Sequence, residues 1–139
     1  MENINQIEKD LELYLVPFFD TYDIYDDIKK LIIYLSVTNK TDKYKGFSIP
    51  IFEISETLLG QKEFYLSNPI PRERINPSNK NLSEFLYILD VNLKNELEKM
   101  KGKGVTLKAR VKTFDEKEFI SNEMNIDDLF KVEDNLQKK

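Results

Sequence analysis

NLSEFLYILDVNLKNELEKMKG, residues 81–102, is the clearest element of this chain and carries the reading of its fold. Leu82, Phe85, Leu86, Leu89, Leu93, Leu97 and Met100 recur at helical spacing and form one continuous apolar stripe. Asn81 suits an N-cap, Glu84 three residues later completes a capping-box-like pair, and Gly102 suits a left-handed stop. A helix over this span would be about 28 Å long, close to the diameter of a small domain. The expectation is a long central helix forming the backbone of the core.

After Gly104 the period changes to two. Val105, Leu107, Ala109 and Val111 share one side, and Thr106, Lys108, Arg110 and Lys112 share the other, the pattern of a half-buried strand. Upstream, Phe47, Ile49, Ile51 and Phe52 read as a strand, with Pro50 pointing to an edge position. Ser55 to Gln61 reads as a short helix ended by Gly60, and Phe64 to Leu66 as a short strand. From Ser67 to Lys80 there is no periodicity, and Pro69, Pro71 and Pro77 resist regular structure.

Towards the N-terminus, Ile4, Ile7, Leu11, Leu15 and Phe18 repeat at helical spacing, with Pro17 marking an end or a kink. Ile24, Ile28, Leu31, Ile32 and Leu35 fit a second helix, although 31–38 is β-branched enough to be a strand. Phe119, Ile120, Met124, Ile126, Leu129, Phe130 and Leu136 suggest one or two short C-terminal helices. The fold class expected is therefore α+β: a long central helix packed on a small, mostly antiparallel sheet, with flanking N- and C-terminal helices. No linker or repeat divides residues 1–139, and a frayed tail is expected over 136–139.

The 139 residues are enough for one core, and 40% hydrophobic with 33% charged residues is a globular balance. Without cysteine there are no disulfides, thiolate nucleophiles or cysteine-held metals. Without histidine the commonest general base and transition-metal ligand are missing as well. Only four glycines occur, and no phosphate-cradling loop or nucleophile-elbow motif is present. The chain reads as a non-enzyme without a cofactor. Met1-Glu2-Asn3-Ile4 does not open a secretory signal, and the apolar run Leu31 to Leu35 is too short to span a bilayer. A cytoplasmic protein without a membrane partner is expected.

Charge is unevenly arranged. Residues 1–28 sum to −7, 29–60 to +2, 61–112 to +5 and 113–139 to −4, within a total of −4. Acidic ends around a basic middle imply either a polyanionic partner or ends that fold back and neutralise the middle. Lys108, Arg110 and Lys112, about 6.5–7 Å apart along one strand face, match phosphate spacing. Lys99, Lys101 and Lys103 precede them, and Arg72 and Arg74 lie in the 67–80 loop. These eight residues are the candidate polyanion-binding set. The same lysines equally suit protection of an edge strand and the C-terminal end of a helix dipole. Asp20, Asp23, Asp26 and Asp27, interleaved with Tyr22 and Tyr25, lack the spacing of a calcium loop and suit the start of a helix.

Two functions fit these residues. The first is a non-catalytic protein-interaction module, such as an accessory subunit or a small inhibitor of the kind phages and mobile elements encode. Its anchors would come from aromatics that one core cannot absorb: Phe18, Phe19, Tyr22, Tyr25, Phe64, Tyr65, Phe114 and Phe130. The alternative is a nucleic-acid-binding domain that uses the basic strand and the arginine-containing loop. A sequence pI of about 5.0 weighs against it.

Overall fold

A computed structural model describes residues 10–20, 30–43, 45–66, 69–71 and 82–131. Among these residues the fold is mostly β, with two helices of which one is short, and no long central helix packs on a sheet. In chain order the elements are β1 (Leu11–Asp20), β2 (Lys30–Asn39), β3 (Ile51–Leu58), β4 (Gln61–Phe64), β5 (Pro69–Pro71), β6 (Leu82–Ile88), α1 (Val91–Glu98), β7 (Thr106–Lys112), β8 (Glu118–Ile120) and β9 (Met124–Asn125). A short helix, α2, follows over 127–131. Two antiparallel sheets result. The first has the order β1-β2-β6-β5; in the second β4-β3-β7-β8 run side by side and β9 also pairs with β7.

The expected helix over 81–100 is thus two elements. Leu82–Ile88 is a strand, Leu89 and Asp90 turn the chain, and only Val91–Glu98 is helical. The reason lies in β6, which pairs with β2 on one side and β5 on the other. Its inward residues Phe85 and Tyr87 alternate with outward Leu86 and Ile88. Its two polar residues, Ser83 and Glu84, are adjacent and so fall on opposite sides, which leaves no alternation to mark the period of two. Asp90 supplies the cap that Asn81 was expected to provide: its side chain accepts from the Leu93 N–H at 2.7 Å. Asn81 lies outside the described residues. Gly102 does adopt the left-handed conformation expected of it (φ 80°), in the turn beyond the helix.

The N-terminal expectation is corrected over the residues described. Leu11, Leu13 and Leu15 are buried on one side of β1, with Glu12 and Tyr14 exposed on the other, a period of two rather than 3.6. Ile4 and Ile7 fall outside the described residues. Pro17 neither ends nor kinks this element. Leu15 turns its N–H and carbonyl away from β2, and Pro17, two residues on, turns its missing N–H the same way, so no ladder bond is lost. Residues 31–35 belong to β2 and not to a helix. This strand is apolar on both sides, with Ile33, Leu35 and Val37 facing the core and Ile32 buried on the other face.

In the second sheet β3 begins at Ile51, later than the expected strand, while Phe47 makes an isolated bridge to Thr113. From that bridge to the pair Ile51–Arg110 the chain advances four residues against three on β7, a bulge that holds Pro50. The short helix expected over 55–61 is instead the β3–β4 hairpin, which turns through Leu59 and Gly60 with both residues at positive φ. Phe64 ends β4, and Pro69–Pro71 forms a strand where no regular structure was expected. Of the C-terminal helices, only α2 is present among the described residues; Phe119 and Ile120 are in β8 and Met124 is in β9. Leu136 and the tail lie outside them.

One cluster of buried side chains lies between the sheets. Leu15, Ile33, Leu35 and Tyr87 from the first meet Phe52, Leu107, Ala109 and Val111 from the second, and Leu97, Leu129 and Phe130 close one end. Phe52 meets Tyr87 edge-on at 5.1 Å between ring centres and stacks on Phe64 at 6.1 Å. Asn122 joins the sheets through polar atoms. Its side-chain amide accepts from the Leu15 N–H at 2.8 Å and donates to the Leu15 carbonyl at 2.9 Å, which satisfies the unpaired edge of β1. Among the described residues no helix is long and apolar enough to cross a membrane.

Candidate interaction surfaces

Strand β7 keeps the alternation read from the sequence: Val105, Leu107, Ala109 and Val111 are buried, and Lys108, Arg110 and Lys112 face outward. What surrounds the cations was not legible there. Register sets Glu53 of β3 opposite Lys108 and opposite Glu63 of β4, so this row across the sheet reads Glu63, Glu53, Lys108. The next row holds Ile51, Arg110 and Ile120, and Tyr65 follows directly on Phe64, the last residue of β4 and the partner of Phe52. Lys112 is paired with Glu118 in the row beyond.

Arg110 sits at the centre of an ion-pair cage. Its Nη1 donates to a Glu53 oxygen, its Nη2 donates to Glu63 at 2.9 Å, and its Nε lies 3.5 Å from Glu118. Lys108 Nζ is 3.6 Å from the other Glu53 oxygen. Arg110 and Glu53 are each 23% exposed as side chains, against 56% for Glu63 and Glu118. Partial desolvation opposes the Arg110 charge, but the hydrogen bond to Glu63 and the fields of Glu53, Glu63 and Glu118 outweigh it and raise its pKa. Two of the three outward cations of β7 are therefore held by carboxylates of its own sheet.

The other candidate cations are dispersed. Lys99 pairs with Glu96 one helical turn earlier at 3.1 Å, and Lys101 lies over the Phe130 ring, 5.2 Å from its centre. Lys103 is exposed in the turn that leads into β7, and neither it nor Lys112 has an ion-pair partner among the described residues. Arg72 and Arg74 lie outside the described residues, as do Asp23, Asp26, Asp27, Tyr22 and Tyr25. Among the described residues no group of three or more acidic side chains is placed to hold a metal ion.

A second surface stands at the β7–β8 hairpin tip, residues 113–117. Phe114 is 77% exposed, yet its ring lies over Gly46, where even a single added carbon would sit 2.3 Å from it. Only glycine leaves that room. The Phe114 N–H also donates to the Gly46 carbonyl at 3.3 Å. Ile49, 69% exposed, lies in the neighbouring bulge. Charged groups fix the tip from below: Lys45 reaches Asp115 at 3.4 Å and Asp10 at 3.5 Å, and Lys117 reaches Asp10 at 3.6 Å. The Asp115 carboxyl also accepts from the Thr113 hydroxyl. That hydrogen bond is the largest influence on its pKa; desolvation opposes it, and Lys45 and then Lys117 help to hold the value below that of an ordinary aspartate. At Lys45 desolvation works against the charge, and Asp115 and Asp10 reverse the balance and raise its pKa.

Of the aromatics expected to exceed the core, Phe130 is buried and Phe64 packs against the cluster, whereas Tyr65 and Phe114 remain exposed. The side chains of Phe18 and Phe19 are not among those described. Asn122, Gly46 and the three glutamates were not singled out from the sequence, because each acts through partners distant in the chain. No family model, curated protein or solved structure matches this chain.

Proposed function

We propose that this chain is a non-catalytic protein-interaction module, an accessory subunit or small inhibitor, that engages another protein through the β7–β8 hairpin tip. The observation that carries this reading is Phe114, a large apolar side chain that is exposed while its ring lies over Gly46. Aromatic residues dominate binding energy where they enter a partner's pocket, and a ring ordered beforehand loses less entropy on binding. Exposed Ile49, three residues along the chain from Gly46, adds apolar surface, and the ion pairs of Lys45, Asp115, Lys117 and Asp10 provide a charged rim.

The runner-up is a nucleic-acid-binding domain. Exposed Lys101, Lys103 and Lys112 favour it, while the ion pairs of Lys108 and Arg110 weigh against it. The test compares wild type with Phe114→Ala as immobilised bait and measures the affinity of any partner retained. Loss of affinity of about tenfold or more with an unchanged melting temperature is expected, and equal affinity of both chains would refute the role of the tip. In parallel, labelled single- and double-stranded DNA and RNA are titrated at low and near-physiological salt. Binding that weakens steeply with salt and falls on replacing Lys101, Lys103 and Lys112 would put the second reading in place of the first.

A further inference from the structure

The outward face of the second sheet is matched to itself. Its three acids (Glu53, Glu63 and Glu118) and three bases (Lys108, Arg110 and Lys112) leave it without net charge, although the chain as a whole carries −4. One row of this face is centred on the line between β3 and β7. Ile51 and the aliphatic stem of Arg110 flank that line, Ile120 lies one strand further out beyond Arg110, and Tyr65 follows directly on the end of β4, the strand beyond Ile51. Tyr65 and Ile120 are both exposed. We propose that two copies of this chain pair face to face through this surface, about a two-fold axis that runs parallel to the strands between β3 and β7.

Such an axis exchanges β3 with β7 and β4 with β8. Glu53 then faces Lys108 of the second copy, and Lys108 faces the second copy's Glu53, so each contact occurs twice with opposite charges opposed. Ile51 meets the aliphatic stem of Arg110, and Tyr65 meets Ile120, again twice over. Strands about 4.8 Å apart place the inner pair close to the axis and the outer pair about 7 Å from it, and sheets stack at about 10 Å, within reach of these long side chains. A flip across the strands about the Arg110 row would instead set Lys108 against Lys112 and Arg110 against itself, which disfavours that two-fold arrangement. Four short strands offer a small area, so the dimer belongs to the weak, concentration-dependent class. This pairing is separate from the hairpin-tip contact, since the partner is another copy of the same chain.

The test is sedimentation equilibrium of the full chain from about 10 μM to 1 mM, the range in which such dimers form. Wild type is expected to rise towards twice its mass of 16.5 kDa. Glu53→Lys alone and Lys108→Glu alone are each expected to stay monomeric, because each sets like charges across the axis. An equimolar mixture of the two variants is expected to recover the doubled mass. In a mixed pair every facing combination is again opposite in sign, whereas within either chain the reversed charge remains unrepaired. Circular dichroism of each variant verifies folding, and recovery in the mixture requires it. A wild type that stays monomeric to the highest concentration overturns the proposal. So does a single variant that dimerises as wild type does, or a mixture that stays monomeric.

Discussion

Replacing Arg110 with alanine tests whether the basic strand is an internal brace or a free binding surface. The guanidinium makes one contact with a partner as sheltered as itself, Glu53, and two with the more exposed Glu63 and Glu118. Charge-assisted hydrogen bonds to a half-buried carboxylate contribute about 1.5–3 kcal/mol, and exposed ion pairs about 0.2–1 kcal/mol each. The variant also leaves three carboxylates close together with only Lys108 among them. The expected loss is about 2–3 kcal/mol, read in urea as a midpoint lowered by about 1–2 M with the slope unchanged. Double-mutant cycles divide that loss. Arg110 with Glu53 should couple by about 1–2 kcal/mol, and Arg110 with Glu63 by less than about 0.5 kcal/mol. A loss below about 0.5 kcal/mol for Arg110→Ala, or a stronger coupling to Glu63 than to Glu53, would refute the brace.

Three further outcomes follow from other parts of the fold. Asn122→Ala removes both hydrogen bonds to the edge of β1 and should cost about 1–2 kcal/mol, a fall of about 3–7 °C in melting temperature; an unchanged melt would show that the amide does not join the sheets. Burial pushes the Tyr87 phenol up to about 12 from its ordinary 10.0, so the neutral form stabilises the fold fully below pH 10. That contribution is lost as pH rises through the folded value, about 2–3 kcal/mol in all, and Tyr87→Phe should abolish the loss in alkaline denaturation curves. Asp115 has the opposite sign: its lowered pKa means that its hold on the tip is present above the unfolded value of 3.8 and is lost as pH falls through the lower folded one. Amide shifts of residues 113–117 followed through that range should move in wild type and be flat in Asp115→Asn.

How much could be read beforehand depended on what each strand faces. β7 was legible because one side meets the core and the other meets water, so apolar and polar residues alternate without exception. β6 was not. It is a central strand, with Phe85 and Tyr87 inward and Leu86 and Ile88 outward, and its adjacent polar residues Ser83 and Glu84 set no alternating beat. Leu82, Phe85, Leu86 and Leu89 then match the spacing of a helix face by coincidence of composition, and the true helix beyond Asp90 lengthens the match. Asp90 was the available correction. An aspartate three residues before an apolar helical position is a cap, and a cap inside a supposed helix marks the start of a second element.

The charged face presents a different difficulty. A strand that displays Lys108, Arg110 and Lys112 has the same sequence whether it awaits phosphates or is tied to carboxylates of its own sheet. The difference lies in residues 57 and 47 positions away, which only pairing brings near. Segment sums mislead for the same reason. They place the compensating charge for the basic middle at the acidic ends, and Asp10 does meet Lys45 and Lys117. Arg110, however, is met by Glu53 and Glu63, which lie in the two segments of net positive charge, and by Glu118 of the neighbouring hairpin. Charge in a β fold is balanced along rows that cross the strands. A basic strand therefore points to a polyanion only when the outward positions of the strands beside it lack acids, and here both β3 and β8 carry one.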